Sequence, residues 1–310
     1  MTRSETSGFV LGLLAVLFWS PHLLSLLHYG SGQTPMLVLH FHILLWAAVV
    51  SWGLLIVSGG VDKLSVFQRH ETRFILLVLT GGYGMWLLRA FAVEQAGNPA
   101  NVHILFYAGP LLLGIMSLTS SEGATLKQIG ALVLGFVGAI MILARPGEGE
   151  TAAGMAPAAS TAGLALAGAA LWAVFALLAR PLVRNEPVLP TATLIWSLGS
   201  ACLLVTCLST GENILEITPR DLYTTILIGG GTITAGMGLW LKCLSEVTVA
   251  FAAPIWYLSL IPGIGLTYWL EDQWPGWLAI GGAVLILLIC RSGQSRDRTD
   301  QMTLSDVIRE

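Results

Sequence analysis

GYGMWLLRAFAVEQAGNPANVHILFYAGP, residues 82–110, is the stretch on which the reading of this chain turns. It is two apolar runs joined by a short turn at residues 95–99. The runs carry Tyr83, Trp86, Arg89, Asn101, His103, Tyr107 and Pro110, side chains for which a plain lipid-facing helix has no use. Polar and ionisable groups are costly in hydrocarbon and face a bundle interior or a cavity. A version of the stretch returns at residues 236–262, so residues 82–110 read as half of a substrate cavity inside a membrane.

Composition agrees. The 310 residues are 55% hydrophobic and 11% charged, with mean hydropathy +0.77. A soluble domain carries roughly 25% charged residues. Too few charges remain to solvate a water-facing surface, so much of this surface faces lipid. The net charge of −3 and the lack of a basic block speak against a nucleic-acid partner. Cys202, Cys207, Cys243 and Cys290 all lie in or at the ends of apolar runs and are expected to pack as small apolar residues, with no bridge and no metal. There is no Walker loop, HExxH or GxSxG motif, so neither an ATP motor nor a hydrolase is indicated, and no cofactor is expected. The N-terminal apolar run continues to about Tyr29, longer than a signal-peptide core, and reads as a retained first span.

Crossing about 30 Å of hydrocarbon takes roughly 20 helical residues. Windows of that length fall at about 8–29, 35–58, 74–96, 99–119, 125–144, 161–183, 190–209, 222–245, 248–270 and 274–291. The expected fold is therefore all-α, with ten transmembrane helices. Residues 59–73 read as a basic exposed loop, 145–160 as a flexible linker and 292–310 as a polar cytoplasmic tail. With the N-terminus inside, Arg3, Lys63, Arg69, Arg73, Lys127, Arg180, Arg184, Lys242, Arg291, Arg296, Arg298 and Arg309 share one side, against Arg145 and Arg220 on the other. That bias predicts both termini in the cytoplasm.

Residues 1–144 and 161–291 look like two copies of one five-helix unit. LGLLAVLFW ending at Trp19 matches LALAGAALW ending at Trp172. Further on, Gly84-Met85 matches Gly236-Met237, Glu94 matches Glu246, and Gly130-Ala131 matches Gly282-Ala283. Pro110 has two candidate partners, Pro254 and Pro262. An odd number of crossings turns the second copy upside down, and inverted repeats around a midplane cavity are the architecture of secondary transporters.

The candidate substrate-binding residues are Trp19, His42, Tyr83, Trp86, Arg89, Asn101, His103, Tyr107, Trp172 and Trp256. Tyr83, Trp86 and Arg89, spaced i, i+3, i+6, share a broad helix face, and His103 and Tyr107 are i, i+4 neighbours. Asn101 is offset by about 200° from His103, so both cannot point into one narrow cavity. Arg89 is either a bidentate partner for a substrate carboxylate or a residue nearer the span end that pairs with Glu94. His42 is either a proton carrier or, the favoured reading, a neutral side chain bonded between helices. Trp19 and Trp172 read as facing cavity walls, and Trp274 and Trp277 as an interfacial belt. Pro21, Pro110, Pro254 and Pro262 are candidate hinges, since each lacks a backbone donor. Gly130, Gly135 and Gly138 allow close helix approach, which suits internal packing better than a dimer seam and leaves a monomer or weak homodimer.

The paired units, the GNPANVHILFYAGP segment, the SSEGATLKQIGA turn and WAVFALLARP in the second copy together resemble the drug/metabolite transporter superfamily in its EamA-type form. Within it the chain looks like a YddG-type aromatic amino-acid exporter. The resemblance covers about residues 8–291. It implies ten helices around a central cavity and export of amino acids, aromatic ones included, across the bacterial inner membrane. On it Trp19, Tyr83, Tyr107 and Trp172 fall where that family has cavity aromatics. Many EamA-type proteins carry an Arg early in the second helix, where this chain has His40 and His42. The alternatives are export of another small-molecule class, or a non-transport intramembrane enzyme or sensor.

Overall fold

The apolar runs form helices, and no strand occurs among the described residues, which are 2–28, 34–96, 99–118, 124–143, 158–270, 272 and 274–292 of the computed structural model. The first half contributes Arg3–His28 (α1), Met36–Val57 (α2), Glu71–Glu94 (α3), the pair Pro99–Phe106 and Gly109–Ser117 (α4a, α4b), and Leu126–Leu143 (α5). The second half contributes Ala159–Val183 (α6), Val188–Thr210 (α7), Pro219–Glu246 (α8), the pair Val249–Tyr257 and Leu260–Leu270 (α9a, α9b), and Trp277–Ser292 (α10). Seven helices are long and apolar enough to cross a membrane among the described residues. Their outward faces carry large apolar side chains such as Leu17, Ile56, Val57, Val205 and Leu288. These surfaces are lipid-facing, because water would leave them unsatisfied.

Two spans expected to be continuous are broken. Pro110 has no N–H to bond the Phe106 carbonyl, and Pro262 none for the Leu258 carbonyl. Each helix tightens just before its proline. Ala108 N donates to Leu105 O at 3.0 Å and Ser259 N to Trp256 O at 3.1 Å, both three-residue steps. Pro110 and Pro262 therefore coincide with breaks, whereas Pro21 and Pro254 lie inside uninterrupted helices. Of the two candidate partners of Pro110, Pro262 is the one at a break, and it is as far from Gly236 as Pro110 is from Gly84.

α3 and α8 are not uniform either. Residues Val78–Gly84 of α3 and Leu227–Met237 of α8 are π-helical. Both are glycine-rich, and a wide π turn frees carbonyls that need other donors. Trp86 Nε1 donates to Gly81 O at 3.0 Å, and Thr234 Oγ1 to Gly229 O at 3.0 Å. The missing side chains also let backbones meet. Gly82 of α3 lies against Gly199 of α7, and Gly229 of α8 against the Ile43 carbonyl of α2.

The principal packed pairs are α2–α7, α5–α10, α4b–α9a, α1–α8 with α6–α3, α1–α9 with α6–α4, and α2–α8 with α7–α3. With α4a and α4b counted as one helix and α9a and α9b as another, exchanging the first five helices for the last five maps this set onto itself. Two contacts break the pattern: α6 also packs on α8 and α5 on α9, with no α1–α3 or α4–α10 contact of like extent among the described residues. Gly135 sits against the Tyr257 ring and Gly138 against Gly282 and Ile286, so both serve internal packing, while Gly130 faces open space.

The expected loop at 59–73 is more ordered than its composition suggests. It holds a 3₁₀ turn, Val61–Ser65, and a short helix, Val66–Arg69, anchored by fully buried Val66. Arg69 and His70 reach Glu186 Oε1, before α7, at 3.0 and 3.2 Å. The linker at 145–160 and the tail at 292–310 lie almost wholly outside the described residues.

Candidate functional site: an aromatic cavity at the helix breaks

A cavity of about 80 Å³ lies where α1, α3 and α4 meet α6, α8 and α9. It has room for several waters or part of a small solute. Trp19, Trp172 and Trp256 form one wall, with Ile233 and Met237 of α8 beside them. Met85, Trp86 and Arg89 of α3 with His103, Phe106 and Tyr107 of α4a and the break after it form the other, and Ser259 closes it at the α9 break.

Trp256 is the hub of the aromatic wall. Its ring centre is 4.0 Å from Trp19, 4.2 Å from Trp172 and 5.5 Å from Trp240, all in tilted or edge-on arrangements that aromatic quadrupoles favour. Glycines seat the rings. A Cβ on Gly236 would come within 2.8 Å of Trp19 Cδ1, and one on Gly109 within 3.0 Å of Trp172 Cε3. A wall of indoles recognises flat apolar groups through dispersion and π contact.

The polar groups gather at the α4 side. Arg89 stands over the Phe106 ring at 5.1 Å, and its Nη2 donates to His103 Nδ1 at 3.3 Å. A guanidinium only donates, so His103 Nδ1 accepts and the neutral ring carries its proton on Nε2. Glu94 is not the partner of Arg89: its Oε1 accepts from Met36 N at 2.9 Å and caps α2. Ser259 Oγ donates to Trp256 O at 2.7 Å, which uses its one proton. Tyr107 therefore donates to Ser259 across 3.1 Å and keeps an oxygen lone pair as an acceptor.

Of the ten residues singled out from sequence, seven line this cavity and three do not. Tyr83 turns to α7, where its hydroxyl meets Thr206 Oγ1 at 2.9 Å. His42 Nε2 donates to Ile214 O at 3.0 Å, in the connection between α7 and α8 and not in a neighbouring helix. Asn101 is buried away from the lining. Met85, Phe106, Ile233, Met237 and Ser259 were missed. The repeat spacing carried a signal for three of them: Met85 matches Met237, and Tyr107 matches Ser259 at the spacing of Gly84 to Gly236.

Residues 159–291 match the model of the EamA-like transporter family. The match covers less than half of the chain. It spans the second of the two units read from sequence. A Bacillus subtilis (strain 168) protein called uncharacterized transporter YyaM is 24% identical over 246 residues, covering 78% of this chain and 79% of its own. A solved crystal structure superposes with a TM-score of 0.77 at 18% identity, over 93% of this chain and 97% of the other. That likeness speaks for the fold alone. With its apolar helices, the chain is a multi-pass membrane protein whose second half is similar to EamA-like transporters.

Proposed function

We propose that the chain is a secondary transporter that exports amino acids, aromatic ones included, and related metabolites across the inner membrane by alternating access. In this reading ten helices form two inverted units, 1–144 and 161–291, with both termini cytoplasmic. The observation that carries it is the cavity between α1, α3, α4 and α6, α8, α9, lined by four indoles and a guanidinium. The exchangeable set of packed pairs supports two related halves. The extra α6–α8 contact supports a state closed at one end: Arg180 Nε at the foot of α6 donates to Val247 O at 2.7 Å, and Ser4 Oγ to Glu246 O at 2.8 Å. Lys242, Arg180 and Arg184 mark that end as the cytoplasmic one under the positive-inside rule.

Proteoliposomes loaded with labelled phenylalanine test the reading. Saturable release is expected, reduced at least tenfold by Trp256→Ala while the variant still purifies as a folded monodisperse protein. Release equal to that of empty-vesicle controls would reject it. Running the assay with and without a proton gradient decides whether the export is coupled.

A further inference from the structure

We infer that the ligand this cavity favours is an aromatic monocarboxylate, for which an α-amino group is a handicap. The inference rests on reading the cavity as the transport site, and within that reading it moves the favoured substrate from the amino acids to related metabolites that lack the amino group. Arg89 is the one permanently charged side chain among the described lining residues, and no carboxylate is among them. A half-buried guanidinium suits an anion by chemistry, because its N–H fork matches a carboxylate. It stands beside an aromatic wall, so one ligand can present a carboxylate to Arg89 and a ring to Trp19, Trp172 and Trp256.

Among the described lining residues an ammonium finds no equivalent partner. The acceptors available to it are neutral oxygens. Ser259 has given its proton to Trp256 O and receives one from Tyr107, so the pair offers only lone pairs. The indole faces attract a cation, but the buried charge still lacks a counter-ion and lies in the field of Arg89. Removing an ion from water without a paired anion costs more than π faces return. A zwitterion thus gains at its carboxylate and loses at its ammonium. The same skeleton without the amino group keeps the gain and avoids the loss. A free amine has only the loss.

Calorimetric titration of the purified full-length protein at pH 7 with 3-phenylpropanoate, phenylalanine and phenethylamine separates these cases, since all three share one ring and chain length. The propanoate is expected to bind at least tenfold tighter than phenylalanine, about 1.4 kcal/mol, and phenethylamine to give no binding heat. Arg89→Gln should erase the propanoate's advantage, with Arg89→Lys retaining part of it, and a thermal melt of each variant verifies folding. Phenylalanine binding as tightly as the propanoate overturns this inference and leaves the transport-site reading standing. So does binding of phenethylamine, or a propanoate advantage that survives in a folded Arg89→Gln protein. Absence of binding by all three overturns both.

Discussion

Gly199→Ala tests a helix crossing at which two backbones meet. At this crossing α7 runs against the π-helical part of α3, and a Cβ on Gly199 would overlap the Gly82 carbonyl and lie 3.1 Å from Gly82 Cα. Both obstacles are backbone, so no side chain can rotate away, and the helices must separate. Overpacking of this kind costs about 2–3 kcal/mol. At roughly 2–4 °C per kcal/mol, the apparent melting temperature falls by about 4–12 °C. The damage does not stay local. Gly81 O holds the indole of Trp86, so displacing this segment moves a cavity wall and weakens ligand binding as well. The assay is a melt in detergent monitored by tryptophan fluorescence, paired with ligand titration. Gly163→Ala is the control, because a Cβ there meets nothing within 4 Å and a helical alanine stabilises by up to about 1 kcal/mol. A Gly199→Ala protein as stable as Gly163→Ala would refute the crossing.

Two further substitutions separate structure from site. Tyr83→Phe removes the bond to Thr206 and should cost about 1 kcal/mol of stability while leaving ligand affinity unchanged, since Tyr83 is outside the lining; weakened binding at unchanged stability would return Tyr83 to the cavity. Arg180→Ala removes a charged donor from the Val247 carbonyl in a largely buried setting, a loss of about 1.5–3 kcal/mol read as a lowered melting temperature. Arg184→Ala, exposed four residues on, should stay within about 0.5 kcal/mol of wild type.

Membrane residence and most helix positions were legible because hydropathy over a span-length window is a strong signal. The cavity was legible wherever a residue was too polar or too large for its surroundings, as with Trp19, Arg89, Tyr107 and Trp172. Tyr83 misled for a local reason. Its i, i+3 spacing from Trp86 assumes 3.6 residues per turn, but it lies in Val78–Gly84, where the wider π turn rotates it toward α7. His42 could not be resolved from sequence because its partner, the Ile214 carbonyl, belongs to a connection far along the chain. Met85, Met237 and Ile233 carry no chemical mark of a site, and only their position in the bundle makes them lining. The helix breaks were half visible: four prolines were candidates, and the two that interrupt a helix do so next to Tyr107 and Ser259.

The repeat spacing clarifies why the cavity has a direction. Tyr107 and Ser259 correspond by that spacing and bond to each other, as residues astride an approximate two-fold relation can. Met85 and Met237 correspond and both line the cavity. Yet the position matching Arg89 is Leu241, fully buried, and the position matching Trp240 is Leu88. Positions matched by this spacing thus line the cavity from both halves of the chain, while the charge lies in one half and the backing of the aromatic cluster in the other. A symmetric cavity would bind a ligand equally well in two opposed orientations. Here exchanging the ends of an aryl carboxylate would bury its carboxylate against indole and its ring against guanidinium, losing the anion pair. One orientation therefore dominates.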